Sequence, residues 1–359
     1  MKKKSLVITL ILCLVIITSV VIIFIFTPGL ELRLLDKKID ARTLVKKGDE
    51  SLRAGDPEGA LEQYKKAKKL MPRIPGINYK ISKAYIKMGE IEKAIENQKR
   101  AIQNDPTSDN EHVNLGELYY SLKRYDDAEK EFLKALKISP RPEYYVFIGE
   151  VYAQQKNHTE GERWFKKALE TDPNCFDAYL DLAIGYAAQK KWKEAETAYQ
   201  KAREIRPESQ LPLTGLGILY MNTGHPEKAE KFLKKAVQLD PDAQRAYGAL
   251  GLLYNRQKRY DESEEVLLKA IEINPYEVVY HLNLGEVYLL TDRPEKAEKK
   301  FKEAIKVRPG YSFSYFRLAH LYEKMGKKDA AEKMRKLGEE KKKYDLDLAD
   351  PLDPSEPVR

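Results

Sequence analysis

Eight prolines, Pro72, Pro106, Pro140, Pro173, Pro207, Pro241, Pro275 and Pro309, follow one another at intervals of 34, 34, 33, 34, 34, 34 and 34 residues. Each closes a lysine-rich helical stretch. Proline lacks the N–H a helix needs and pushes the residue before it out of the helical region, so each marks a stop. A fixed period with a stop in every copy means a stacked array whose units bury their apolar faces on their neighbours. The hexapeptide Pro-Glu-Lys-Ala-Glu-Lys at 226–231 recurs at 294–299, two periods later, as the same piece of two copies.

With those prolines at position 32, the copies run 41–74, 75–108, 109–141, 142–175, 176–209, 210–243, 244–277 and 278–311, and a ninth, 312–341, lacks the closing proline. Position 8 is small throughout: Gly48, Ser82, Gly116, Gly149, Ala183, Gly217, Gly251, Gly285 and Ala319. Position 20 is Ala, Gly161 or Ser263, and position 27 is Ala in the eight complete copies. Small residues at fixed intervals let helix axes approach closely. The large residues fall between them. Position 11 is Tyr from Tyr85 to Tyr322, with Ser51 departing, and position 24 carries Tyr64, Phe132, Phe165, Tyr199, Leu233, Leu267 and Phe301. Positions 7 and 11 lie on one face of a first helix, and turn signals such as Asn222-Thr223-Gly224 separate it from a second.

A small residue at 8, Tyr at 11, Ala at 20, an aromatic at 24, Ala at 27 and Pro at 32 together resemble the tetratricopeptide repeat (TPR) family over residues 41–341. The resemblance implies an all-α fold: a right-handed α-solenoid superhelix of eight to nine antiparallel helix pairs, with first helices lining a concave groove. Ser51, Gln98, Arg335 and Gly338 depart from the pattern, and the last copy reads as a polar cap.

Outside the array the chain divides into a basic tail at 1–4, an apolar stretch at 5–26, a linker at 27–40 and an acidic tail at 342–359 that is expected to fray. Ser5 to Phe26 carries no charge and is long enough to cross a hydrocarbon core of about 30 Å as a helix preceding the solenoid. It lacks the short apolar core and small-x-small site of a cleaved leader. The expectation is a single-pass membrane protein attached through this helix. Lys2, Lys3 and Lys4 favour a cytoplasmic N-terminus and an extracytoplasmic array, in a periplasm or at a cell surface, the alternative being a cytoplasmic array.

Charge narrows the partners. Lys and Arg number 64 against 56 Asp and Glu, a net charge of +8, but both signs are interleaved and the lysine pairs recur with the repeat. That is a solvated helical surface and gives no expectation of nucleic-acid binding. Two cysteines, Cys13 and Cys175, supply neither a disulfide framework nor a metal site. The five histidines form no HExxH motif or Cys/His cluster, and no nucleophile stands with a base; no metal, cofactor or catalytic residue is expected.

In TPR arrays, groove-facing side chains come mainly from positions 2, 5, 9 and 12 of the first helix. Carried over, the resemblance implies Tyr79 and Lys83 among polar groove residues of the early copies. In copies 5 to 8 it implies Leu180, Ile184, Leu211, Ile218, Met221, Leu252, Val279, Leu282 and Leu289, an apolar trough suited to an extended or helical partner segment. The other reading of these residues is packing against the adjacent repeat, and the sequence leaves both open. No three consecutive copies match the carboxylate-clamping set of some TPR domains; the nearest is Asn283 with Arg317. The expectation is a non-enzymatic scaffold or adaptor that binds protein or peptide partners, with a part in assembling a membrane or envelope complex. The alternative is a non-catalytic regulatory subunit of a membrane enzyme complex. The sequence leaves the oligomeric state undecided.

Overall fold

In each of the eight complete copies the second helix stops two residues short of the periodic proline. In the computed structural model, which describes residues 35–342, the residue before each such proline has left the helix: Met71 has φ −135° and ψ 100°, and Asp240 φ −133° and ψ 102°. Its N–H still bonds back to the alanine at position 27, as Met71 does to Ala67 at 2.9 Å, which closes the last turn. Starts are marked by caps or prolines. The Asp56 carboxylate accepts from the Gly59 N–H at 2.9 Å, and Pro226 and Pro294 occupy first-turn positions where their missing N–H is harmless.

The described residues form eighteen helices. The described residues fall into two units, divided between Pro140 and Arg141. The first holds α1 (described over 35–53), α2 (Pro57–Leu70), α3 (Ile77–Lys87), α4 (Ile91–Asn104), α5 (Asp109–Ser121) and α6 (Tyr125–Ile138). The second holds α7 (Pro142–Gln154), α8 (His158–Thr171), α9 (Phe176–Ala188), α10 (Trp192–Ile205), α11 (Leu211–Asn222), α12 (Pro226–Leu239), α13 (Gln244–Arg256), α14 (Tyr260–Ile273), α15 (Val278–Leu290), α16 (Pro294–Val307), α17 (Ser312–Lys324) and α18 (Lys328–Lys342).

Within each unit an odd-numbered helix packs on the even-numbered helix that follows, and that helix packs on the next odd one. The odd helices also meet one another: α3 touches α5 in the first unit, and α7, α9, α11, α13, α15 and α17 form a continuous series in the second. This is an all-α solenoid arrangement, and the small residues make it possible. A Cβ added at Gly285 would stand 2.5 Å from the Phe301 ring, and one added at Gly149 equally close to Phe165. Position 8 is empty so that the ring at position 24 can lie directly on the first helix. Ser82 and Ser263 are buried at small positions, and each settles its hydroxyl on a backbone carbonyl, of Ala94 at 2.9 Å and of Gly251 at 2.7 Å.

The expected membrane location is corrected here. Among the described residues no helix is long and apolar enough to cross a membrane. The helices of the array from α2 on are 11 to 15 residues long, about 16 to 22 Å, and the longer α1 carries charges from Asp36, Lys37 and Lys38 through Arg53. The stretch 5–26 on which the location rested lies outside the described residues, and the single-pass and extracytoplasmic assignment is not retained. The tail after Lys342 also lies outside them.

Candidate partner-binding face

Since the odd helices stack on one another while the even helices pack behind them, the accessible face of the second unit is built from turns of α7 to α17. Ile184, Ile218 and Leu252 occupy the same register on α9, α11 and α13, half-buried against the core beneath and partly open to solvent. Leu180 is half-buried on α9, Val279 and Leu289 on α15, and Leu211 opens α11 at 40% exposure. These seven side chains lie on one series of touching helices.

Two of the expected residues do not belong to that surface. Leu282 is 1% exposed and Met221 9%; both pack in the interior. Leu282 belongs to the buried cluster that includes Leu267, Leu284 and Phe301, while Tyr280, two residues earlier on α15, fills the space left by Gly248 on α13.

In the first unit the structure brings Tyr79 of α3 onto Glu117 of α5. Burial first and then the hydrogen bond to this carboxylate push the phenol above its ordinary range. The Lys83 ammonium lies over the Tyr79 ring at 4.5 Å. This is a polar, charge-bearing patch, unlike the apolar one on α9 to α15.

Sequence reasoning missed Leu290 on the second face and named Asn283 and Arg317 only as a partial clamp set. Leu290, next to Leu289, is 45% exposed at the end of α15. Asn283 is 2% exposed with its side-chain oxygen unpartnered. The Arg317 guanidinium lies 5.2 Å from the Phe313 ring centre and 3.4 Å from the Glu286 carboxylate. Asn283 and Arg317 thus sit on consecutive odd helices, but Arg317 is already paired.

The buried histidines belong to helix packing. His112 Nδ1 lies 2.7 Å from Glu131, and His281 Nε2 lies 2.9 Å from the Pro275 carbonyl. Among the described residues no group of three or more His, Cys, Asp or Glu side chains is placed to hold a metal ion.

Stacked antiparallel pairs with this register define an α-solenoid repeat protein. The chain belongs to the tetratricopeptide repeat family: residues 83–123 match the TPR repeat and 110–142 the tetratricopeptide repeat, and over 136–345, more than half of its length, it belongs to the family described as Cilia and flagella-associated protein 70 C-terminal domain. It is 29% identical over 103 residues to the Small glutamine-rich tetratricopeptide repeat-containing protein 2 of Mycosarcoma maydis, covering 29% of each chain. Among solved structures it resembles a tetratricopeptide repeat protein from Parabacteroides merdae ATCC 43184, with a TM-score of 0.53 and 20% identity over 70% of this chain and 99% of that one. It also resembles a chain of the APC/C hetero-tetramer Cut9-Hcn1, with a TM-score of 0.57 and 17% identity over 77% of this chain and 55% of that one. At these identities the two structures show the fold. TPR proteins bind protein partners, and the chain is a repeat protein of that interaction class.

Proposed function

We propose that this chain is a non-catalytic scaffold that holds a segment of a protein partner, extended or helical, along the odd-helix face of its second unit. The observation that carries this reading is the register of Ile184, Ile218 and Leu252: three aliphatic side chains at one position of three successive odd helices that touch, each only half-buried. A row of apolar side chains left partly open beside polar neighbours is what a partner's apolar anchors would cover. The 34-residue repeat, with the boundaries read from the prolines, is the recognition unit in this reading.

The test compares Ile184→Asp, Ile218→Asp and Leu252→Asp with Leu282→Asp as the core control. Peptides selected on the intact chain from a random display library should lose at least tenfold in affinity for each of the first three variants, with helicity and melting temperature largely kept. Leu282→Asp should unfold the stack. If the three half-buried positions melt the protein as Leu282→Asp does, they are core and the binding face is elsewhere.

A further inference from the structure

The apolar row of the binding face ends in a carboxylate. Ile184, Ile218 and Leu252 stand 34 residues apart on α9, α11 and α13, and the next residue at that spacing is Glu286 on α15. Glu286 keeps 18% of its side chain open and meets Arg317 of α17, Oε2 to Nη2, at 3.4 Å. A charge-assisted hydrogen bond is about 2.7–2.9 Å long, so the pair is a loose one. Glu286 Oε2 and a different atom of the guanidinium, Arg317 Nε, are both buried and make no hydrogen bond within the chain.

One turn earlier on the same two helices the pattern repeats. Asn283 precedes Glu286 by three residues and Ser314 precedes Arg317 by three, so each shares a helix face with the residue that follows it. The two helices touch. Asn283 is 2% exposed and Ser314 0%, and Asn283 Oδ1 and Ser314 Oγ are likewise without a hydrogen bond. Buried polar atoms are ordinarily paired, and one that is not regains free energy when a ligand pairs with it. These four atoms, on two helix turns joined by the Glu286–Arg317 contact, form a polar subsite at the end of the apolar row.

Their chemistry selects the ligand. Asn283 Oδ1 and Glu286 Oε2 accept, Arg317 Nε donates, and the Ser314 hydroxyl does either. A primary carboxamide brings two N–H donors and one carbonyl acceptor, which matches the first three atoms and leaves the Glu286–Arg317 pair in place. A carboxylate has no donor and is repelled by Glu286. An ammonium adds a second cation beside Arg317 and gives its Nε no acceptor. A backbone peptide group has one N–H for two acceptors.

We infer that this subsite takes the side-chain carboxamide of a glutamine or asparagine in the partner segment, next to the apolar anchor that covers Leu252. The inference rests on the binding-face reading above and deepens it by naming a residue type the partner carries. Successive odd helices lie about 10 Å apart. Along an extended segment, at about 3.3 Å per residue, the carboxamide therefore stands about three residues from that anchor.

The experiment uses the full chain and fluorescein-labelled peptides selected on it from a random display library, with affinity read by anisotropy. Selected sequences should carry Gln or Asn about three residues from an apolar residue. Replacing that carboxamide in the peptide by Leu, Glu or Lys should raise Kd about tenfold or more. In the chain, Asn283→Leu should weaken the carboxamide peptide by a similar factor and leave its Leu counterpart unchanged. Glu286→Leu lengthens the apolar row and should make the Leu peptide the tighter binder, a gain that an unfolded variant does not give. Equal affinity of the carboxamide and Leu peptides for the unaltered chain overturns the inference, as does a preference for Glu or Lys. Peptides that lose affinity for Ile184→Asp and Ile218→Asp but show no carboxamide preference sink the subsite and leave the binding face standing. A library that yields no binder sinks both.

Discussion

The Tyr254 hydroxyl donates to the Glu230 carboxylate at 3.1 Å, joining position 11 of one repeat to the second helix of the repeat before it. The contact recurs in each repeat from the fifth on: Tyr186 to Glu162 at 3.1 Å, Tyr220 to Glu196 at 2.6 Å, Tyr288 to Glu264 at 2.9 Å and Tyr322 to Glu298 at 2.9 Å. A basic residue completes it. Arg259 reaches Glu230 at 2.7 Å while its guanidinium lies 4.2 Å from the Tyr254 ring centre, and Arg293 does the same with Glu264 at 2.6 Å and the Tyr288 ring at 4.6 Å. The repeats that carry Tyr186, Tyr254, Tyr288 and Tyr322 are thus each locked to their predecessor by a hydrogen bond, an ion pair and a cation–π contact that share three side chains.

Tyr254→Phe removes the hydroxyl and keeps the ring, so its effect isolates the hydrogen bond. A bond to a charged acceptor at this partly buried site contributes about 1–2 kcal/mol. Urea denaturation should show that loss. A double-mutant cycle with Glu230→Gln should give a coupling energy of at least about 0.5 kcal/mol, and a coupling near zero would mean that the contact does not tie the repeats together.

Glu230 also sets an acid limit. Its carboxyl is held down to about 2 from an ordinary 4.5, by its hydrogen bonds to Arg259 first and then to Lys234 and Tyr254, against the opposing effect of burial. A carboxylate depressed in the folded state contributes stability that is complete above its unfolded pKa and is lost as pH falls through the folded one. Stability should therefore decline from about pH 4.5 toward pH 2, and Glu230→Gln should flatten that decline; an unaltered acid limb in the variant would exclude this carboxylate as its source.

At the alkaline end the tyrosines act in the opposite sense. Burial first, and then the hydrogen bonds to Glu196 and Glu264, push the Tyr220 and Tyr288 phenols up to about 12 from 10. Their stabilising contribution is present below pH 10 and is lost as pH rises toward 12. Tyr220→Phe and Tyr288→Phe should each reduce the steepness of alkaline unfolding followed by circular dichroism.

The turn between paired helices holds a strain that substitution can relieve. Its left-handed residue is Gly55, Gly89, Gly224 or Gly326 in four repeats but Lys123, Lys156, Lys190, Lys258 or Asp292 in the other five. Lys258, at φ 60°, precedes the Arg259 N–H that bonds back to the Tyr254 carbonyl at 2.9 Å. A side chain there costs about 1–2 kcal/mol, of which the flexibility of glycine in the unfolded chain returns part. Lys258→Gly should raise stability by about 0.5–1 kcal/mol, and Gly224→Ala should lower it, both read as shifts of the urea midpoint.

Close approach is tested at Gly285. A methyl group there would meet Phe301 at 2.5 Å, with the ring fully buried. Gly285→Ala should cost about 1–3 kcal/mol through overpacking, and Phe301→Leu in the same chain should recover part of it. The precedent lies within the chain, where Leu267 fills the corresponding space against Gly251 at the same 2.5 Å from an added Cβ; its branched end has fewer atoms to move than a ring.

The sequence by itself determined the repeat, the helix stops and the alternation of small and large residues. Each of these is written at short range: a proline two residues past a helix end, or Gly285 and Phe301 sixteen positions apart in one helix pair. The stacking of pairs decided the rest. Glu230 looked like one more surface carboxylate until the next repeat brought Tyr254 and Arg259 onto it from 24 and 29 residues away. The left-handed turn at Lys258 was hidden because five of the nine repeats fill it without glycine. On the candidate face, Ile218 and Leu282 are equally apolar in sequence, yet one is half-open and the other 1% exposed. Burial is decided by what neighbouring helices bring against a side chain: Leu282 lies inside the cluster that includes Phe301 and Tyr311, a contact that no local pattern in the chain sets out.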